Sequence, residues 1–154
     1  MSRIIAWALA AAAFATGAGI ASAAPPPGLE PVEGRVIWVD FWASWCVPCR
    51  RSFPWLNEMQ RKHRAAGLQI IGVNLDKERA LADAFLAEIP AEFALRFDPA
   101  GALARQFGVQ AMPSSFLIDS DGNVLATHFG FKTAETAAYE RAIAAALAKA
   151  GAAE

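Results

Sequence analysis

The sequence predicts an α/β fold: a central mixed sheet with helices on both faces and an inserted helix–strand segment. Three observations lead there. Short apolar runs alternate with helical stretches in the order β-α-β, an inserted α-β-α, then β-β-α. The last two strands are joined by a tight turn and read as an antiparallel hairpin. The only two cysteines of the 154-residue chain, Cys46 and Cys49, stand where the first strand gives way to the first helix.

Each element has a local reason. Val36–Trp42 is a nearly continuous apolar run, as a central strand buried on both faces requires. The first helix is expected from about Cys46 to Ala65, with Phe53, Leu56, Met59 and His63 at helical spacing. Pro54 lies inside it and removes one backbone donor, and Gly67 ends it. Leu68–Val73 is the second buried strand. Lys77–Glu88 is a helix expected to bury Leu81, Phe85 and Ile89. Ala94–Phe97 is a short strand, and Gly101–Phe107 a short helix stopped by Gly108. Pro113 introduces the strand Ser114–Ile118. Asp119-Ser120-Asp121-Gly122 is the tight turn, and Val124–Phe129 returns antiparallel. Thr133 is expected to cap a last helix that stacks Tyr139, Ile143 and Leu147 at intervals of four.

Residues 1–23 read as a secretory signal peptide. Arg3 and the amino terminus give the positive end, Ile4 to Ile20 is apolar and uncharged, and Ala21-Ser22-Ala23 fits a small-x-small cleavage pattern. An uncleaved anchor is the alternative, and would bring membrane contact. Its apolar run lies at the short end of the spanning range. Residues 24–34, with Pro25-Pro26-Pro27-Gly28, form a stiff spacer, and residues 35–151 one domain. Export from a bacterium places that domain in the oxidising periplasm. Arg3 is the only charge in the signal, so 13 basic and 15 acidic residues remain and the net charge is −2. That balance argues against nucleic acid as a partner. Arg50, Arg51, Arg61, Lys62 and Arg64 concentrate on the first helix, where a solvated face is the plain reading and a dock for an acidic partner the sharper one.

A Cys-x-x-Cys at a helix start has a specific chemistry. Unpaired N–H groups and the helix dipole stabilise a thiolate, which is the reactive form of cysteine. Cys46 is thereby the nucleophile and Cys49 its resolving partner. A structural zinc site wants four ligands, and the only histidines, His63 and His128, lie far apart on different elements. A structural disulfide closing so short a loop would remove little unfolded-chain entropy. No metal and no other cofactor is expected.

The segment Val39-Asp40-Phe41-Trp42-Ala43-Ser44-Trp45-Cys46-Val47-Pro48-Cys49-Arg50 resembles the active-site segment of the thioredoxin superfamily. Pro54 matches its helix-kinking proline, and Phe107-Gly108-Val109-Gln110-Ala111-Met112-Pro113-Ser114 resembles its cis-proline segment. Within that superfamily the chain is most similar to the TlpA/ResA-like periplasmic thiol–disulfide oxidoreductases. The signal, Arg50, the insertion at roughly residues 77–99 and Pro113-Ser114-Ser115-Phe116-Leu117-Ile118-Asp119-Ser120-Asp121-Gly122 carry the similarity. The resemblance implies a thioredoxin-like fold and reduction of protein disulfides, often in cytochrome c or copper-site maturation. It also implies recharging by a membrane thiol-transfer reductant. Three departures stand out. A β-hairpin usual before the first core strand has little room here. Ser52 replaces a Glu that many members carry near the substrate rim. Asp40 matches the buried acid of thioredoxins, while the lysine that often accompanies it would fall near Gly72.

The residues themselves suggest further roles, and the resemblance adds those of Pro113 and Met112. Cys46 is the exposed thiol and Cys49 the buried one. Asp40 accepts the Cys49 proton, with a pKa raised by burial. Pro113 is cis and packs on the pair. Met112 offers backbone groups to an extended substrate. Trp45 forms an apolar rim, whereas Trp38 and Trp42 belong to the core. Val47 and Pro48 tune the couple, since Pro48 has no N–H to give the Cys46 sulfur. Three other readings compete. The pair could hold Cu(I) as a metallochaperone, with Met112 a third ligand. It could be a disulfide-forming oxidant, which usually has a larger insertion. A peroxidase would want Thr-x-x-Cys, where Ala43 stands.

Overall fold

The computed structural model describes residues 28–29 and 33–152. Residues 1–23, expected to be a signal peptide, and most of the expected spacer lie outside the described residues. Five strands and four α-helices follow in the order β1 (Val36–Trp42), α1 (Val47–His63), β2 (Leu68–Asn74), α2 (Arg79–Glu88), β3 (Ala94–Phe97), α3 (Ala102–Gln106), β4 (Ser114–Asp119), β5 (Val124–Phe129) and α4 (Thr136–Gly151). The spatial order of the sheet is β3-β2-β1-β4-β5. β1 pairs parallel with β2 and antiparallel with β4; β2–β3 is parallel and β4–β5 antiparallel. The expected mixed α/β sheet is present.

β1 is central and buried at all seven positions. Its side chains alternate between two cores. Trp38 and Trp42 join Phe53, Leu56 and Met59 of α1, Phe85 of α2, and Tyr139, Ile143 and Leu147 of α4. Ile37, Val39 and Phe41 join Ile71, Val73, Leu103, Phe116 and Ile118 on the opposite side, under α3. Helices thus cover both faces. Leu29, from the spacer, is fully buried in this second core. Burying one leucine contributes roughly 1.5–3 kcal/mol.

Two local expectations differ from the structure. Leu81 is 49% exposed, whereas Ala82 and Phe85 are buried and Leu86 and Ile89 pack against the core. The buried stripe of α2 is therefore 82, 85, 86 and 89, and Leu81 lies one position, about 100°, off it. Thr133 does not cap α4 with its side chain. It opens a 3₁₀ turn, Thr133–Glu135, and its carbonyl accepts from Thr136 Oγ1 at 2.9 Å. The basic residues of α1 are largely ion-paired: Arg50 with Glu88, Arg61 with Glu92, and Lys62 with Glu140. These pairs are exposed to solvent, so the helix face is a solvated one, as expected.

Gly72 of β2 sits opposite Asp40. A Cβ there would lie 2.9 Å from Phe93, 3.1 Å from Leu95 and 3.2 Å from the Trp42 indole nitrogen. The space a companion lysine would need is filled by apolar side chains. Gly72→Ala is expected to cost about 1–3 kcal/mol through overpacking, read as a lower urea midpoint with unchanged slope. A wild-type midpoint would show that this wall yields.

Candidate active site

The site lies at the carboxyl end of β1. The chain leaves the sheet at Trp42, turns through Ala43-Ser44-Trp45 and enters α1 with Cys46 as N-cap. Cys46 and Cys49 are joined by a disulfide, with Cα atoms 5.3 Å apart. The Cys49 N–H donates to Cys46 Sγ at 3.2 Å. Pro48, in the first turn, has no N–H to offer, so the donor to the sulfur is Cys49's own amide. A thiolate at Cys46 would meet that N–H and the positive end of a 17-residue helix.

The expectation of an exposed Cys46 is not met. In the oxidised pair Cys46 is 3% exposed and Cys49 fully buried. The Cys46 side chain belongs to the first core, in the cluster that also holds Trp42 and Phe53 and that Met112 packs against. The groups facing solvent are Trp45, 69% exposed, and Val47, 63% exposed. Their apolar surface is displayed to solvent on either side of Cys46 in the chain.

The turn before Cys46 is clamped by a residue the sequence reading did not single out. Asp76, 5% exposed just beyond β2, accepts from Ser44 N–H at 2.9 Å and from Ser44 Oγ at 2.8 Å. Asn74 holds it from behind, its side-chain amide donating at 2.7 Å. A backbone bond from Leu75 N to Trp42 O closes the same junction. The signal was available: two polar residues directly after a buried apolar strand need partners.

Opposite the disulfide the chain passes through a cis Met112–Pro113 bond into β4. Pro113 is buried, and Met112 is partly buried against the cluster that holds both cysteines. Ser114 Oγ donates to Ala111 O at 2.6 Å, and Gly130 N to Pro113 O at 2.8 Å, so the loop is held on both sides.

Asp40 lies between Trp38 and Trp42 on the face that carries the cysteines. It is 1% exposed. Ser115, its partner across β4, donates to Oδ1 at 2.6 Å, while Oδ2 has no hydrogen-bond partner. Burial pushes its pKa up to about 7. The Ser115 bond lowers it in part, and so does the nearby Trp38 N–H, although that N–H falls outside hydrogen-bond geometry. Such a group can take a proton at neutral pH and give it up again.

Ser52, placed by the sequence reading near the substrate rim, is 1% exposed, and its hydroxyl donates to Cys49 O at 3.1 Å. A carboxylate here would be buried in α1 rather than displayed to a partner. Trp55, which sequence reasoning left unplaced, packs against Trp38, Phe131 and Tyr139. Among the described residues no group of three His, Cys, Asp or Glu side chains is arranged to hold a metal ion. Nor is any helix among them long and apolar enough to cross a membrane.

A cysteine pair at a strand-to-helix junction, faced by a cis-proline loop on a mixed sheet, is the arrangement of the thioredoxin fold. The redoxin family matches residues 28–143, and the chain belongs to that family, in its ResA- and DsbE-like branch. It is 54% identical to a protein of Chlorobium tepidum assigned as a thiol:disulfide interchange protein DsbE. That crystal structure superposes with a TM-score of 0.72 over 75% of this chain and 82% of the other. The thiol-disulfide oxidoreductase ResA of Bacillus thuringiensis is 32% identical over 107 residues, 70% of this chain. A DsbE homolog of Paracoccus denitrificans is 43% identical over 93 residues, 60% of this chain. The chain spans 62% of the length of that ResA and 49% of that DsbE homolog.

Asp40 also gives stability a pH dependence. Below about pH 4 its carboxyl is protonated in folded and unfolded chains alike. Between there and about pH 7 the unfolded chain ionises first, so stability falls as pH rises through that window. Asp40→Asn is expected to abolish this fall and to be the more stable protein at pH 7.5, by on the order of 3 kcal/mol. Urea unfolding at a series of pH values checks it; parallel curves for the two proteins would contradict the raised pKa.

Proposed function

We propose that the protein is a periplasmic thiol–disulfide oxidoreductase that reduces disulfides in protein clients, including those of cytochrome c or copper-site maturation. The carrying observation is the Cys46 sulfur at a helix N-cap, with an N–H aimed at it and its disulfide partner three residues on. In the reduced protein the Cys46 thiolate attacks a client disulfide and forms a mixed disulfide, releasing one client thiolate. Asp40 takes the proton of Cys49, directly or through water. The Cys49 thiolate then attacks Cys46 Sγ, the second client thiolate leaves, and the protein's disulfide forms. A membrane thiol-transfer reductant returns the two electrons. Trp45 and Val47 supply apolar contact, and the Met112 backbone offers strand-like pairing to the client beside Pro113. The signal peptide, cleaved after Ala23, delivers the domain to its compartment.

Direction of electron flow is tested by titration against glutathione. The expected potential lies nearer that of thioredoxin, about −270 mV, than that of a strong oxidant at about −120 mV, and the reduced protein should reduce insulin. A potential near the oxidant value would make it a disulfide donor. Clients are identified with Cys49→Ala expressed in the native host, which should accumulate mixed disulfides through Cys46; their absence would remove the protein-client reading.

The role of Asp40 has its own test. Asp40→Asn should slow release of a Cys46 mixed disulfide by roughly tenfold or more at pH 7, as loss of a general base does. Stopped-flow tryptophan fluorescence follows the step, and an unchanged rate from pH 6 to 8 would leave Asp40 a structural residue.

A further inference from the structure

The proton that Asp40 receives must leave a carboxyl sealed from solvent. Among the described residues, four buried side-chain nitrogen or oxygen atoms lack a hydrogen-bond partner: Trp38 Nε1, Asp40 Oδ2, Trp42 Nε1 and His128 Nε2. Polar groups left unpaired in a core are few and call for a reason. Here all four gather on one face of the sheet. Three are on alternate residues of β1, and His128 stacks on Trp38 with ring centroids 5.3 Å apart and planes 15° from parallel.

The strand register lines up a route. Asp40 of β1 is paired with Ser115 of β4, and Ser115 is paired with His128 of β5. Directly paired residues share a face, so the three side chains form a row across the sheet. Asp40 and His128 are two strand spacings apart, about 10 Å between backbones, and Ser115 stands on the strand between them. The Ser115 hydroxyl already donates to Asp40 at 2.6 Å. His128 lies on the last strand of the sheet order and is partly exposed.

We infer that His128 is the exit for the Cys49 proton, receiving it from Asp40 through the Ser115 hydroxyl and handing it to solvent. The inference rests on the dithiol chemistry proposed above. Its balance is simple. Cys49 S–H gives a proton to the Asp40 carboxylate. Asp40 gives one to Ser115 Oγ while Ser115 passes its own to His128 Nε2. The imidazolium then loses the proton of its other ring nitrogen, Nδ1, to a base in solution, since Nε2 is buried, and Asp40 is again a carboxylate.

The surroundings of His128 suit a carrier rather than a store. Burial lowers its pKa below the ordinary histidine value, whereas Asp40 is raised to about 7, so the proton does not come to rest on the ring. The titratable and charged groups around it are few. Asp40 lies on one side, beyond Ser115. Tyr139 of α4 packs on the ring at 4.7 Å and is held neutral by a raised pKa. Glu135, in the turn before α4, accepts from Tyr139 Oη at 3.0 Å and from Lys132 at 2.8 Å. Its pKa is lowered by these bonds, and its negative charge eases the passing imidazolium.

The test uses a glutathione adduct on Cys46, so it needs neither the native client nor a known direction of electron flow. Failure of the reductase reading would show separately, in the wild-type insulin assay and potential. Release of glutathione by Cys49 is followed at pH 7 in dilute, weakly basic buffer. His128→Phe keeps an aromatic ring on Trp38, and His128→Ala leaves room for an added base. Both are expected to release glutathione about tenfold more slowly than the wild type. Imidazole in solution should restore His128→Ala to near the wild-type rate and leave the wild type unchanged. Two results would overturn the inference: wild-type rates in both variants, or a slowing of His128→Ala that imidazole does not relieve.

Discussion

Every part of the site depends on the pairing of β1 with its two neighbours. β2 runs parallel to β1 and β4 antiparallel. The carboxyl ends of β1 and β2 and the amino end of β4 therefore meet at one edge of the sheet. The first delivers the turn to Cys46, the second delivers Asp76 to clamp that turn, and the third delivers Pro113 to face it. Three segments distant in sequence become one site because three strands hold register over six or seven residues.

The same pairing places an acid where a sheet of this kind least tolerates one. Asp40 is flanked by two tryptophans on a strand with no exposed position, and only one of its oxygens is bonded. At neutral pH that arrangement costs stability, and burial holds the pKa of the carboxyl near neutrality. Gly72 sharpens the point. Aromatic and aliphatic groups fill the space opposite the acid, so no cation relieves it there.

The fold was legible because its signals are local. Apolar runs bounded by Gly, Pro and short polar turns located every strand within about a residue, and Cys46 and Cys49 marked the helix start unaided. What remained hidden depends on contacts across the sheet or on helix phase. Leu81 was misread because a window of helical spacing does not fix which of two adjacent residues faces inward. Ser52 and Cys46 were placed too near solvent, since side-chain burial at a helix start is decided by what packs over it. Asp76, Ser115 and His128 matter through partners 32, 75 and 13 positions away, the last through register alone. The cis bond before Pro113 was expected from resemblance only, as most X-Pro bonds are trans.

The inserted α2–β3 unit has a meaning beyond filling space. Phe85 packs on Trp42 and Phe53 at 4.8 and 4.9 Å, and Phe93 on Phe53 at 5.2 Å. These rings form the wall against which the cysteine-bearing helix rests, and Glu88 and Glu92 hold the outside of that helix. The insertion is thus a bearing for α1. A lineage can lengthen or reshape it and shift the seat of the redox pair by fractions of an ångström without altering one residue of the active-site segment. Proteins that read identically from Trp42 to Cys49 can in this way seat the cysteine pair differently.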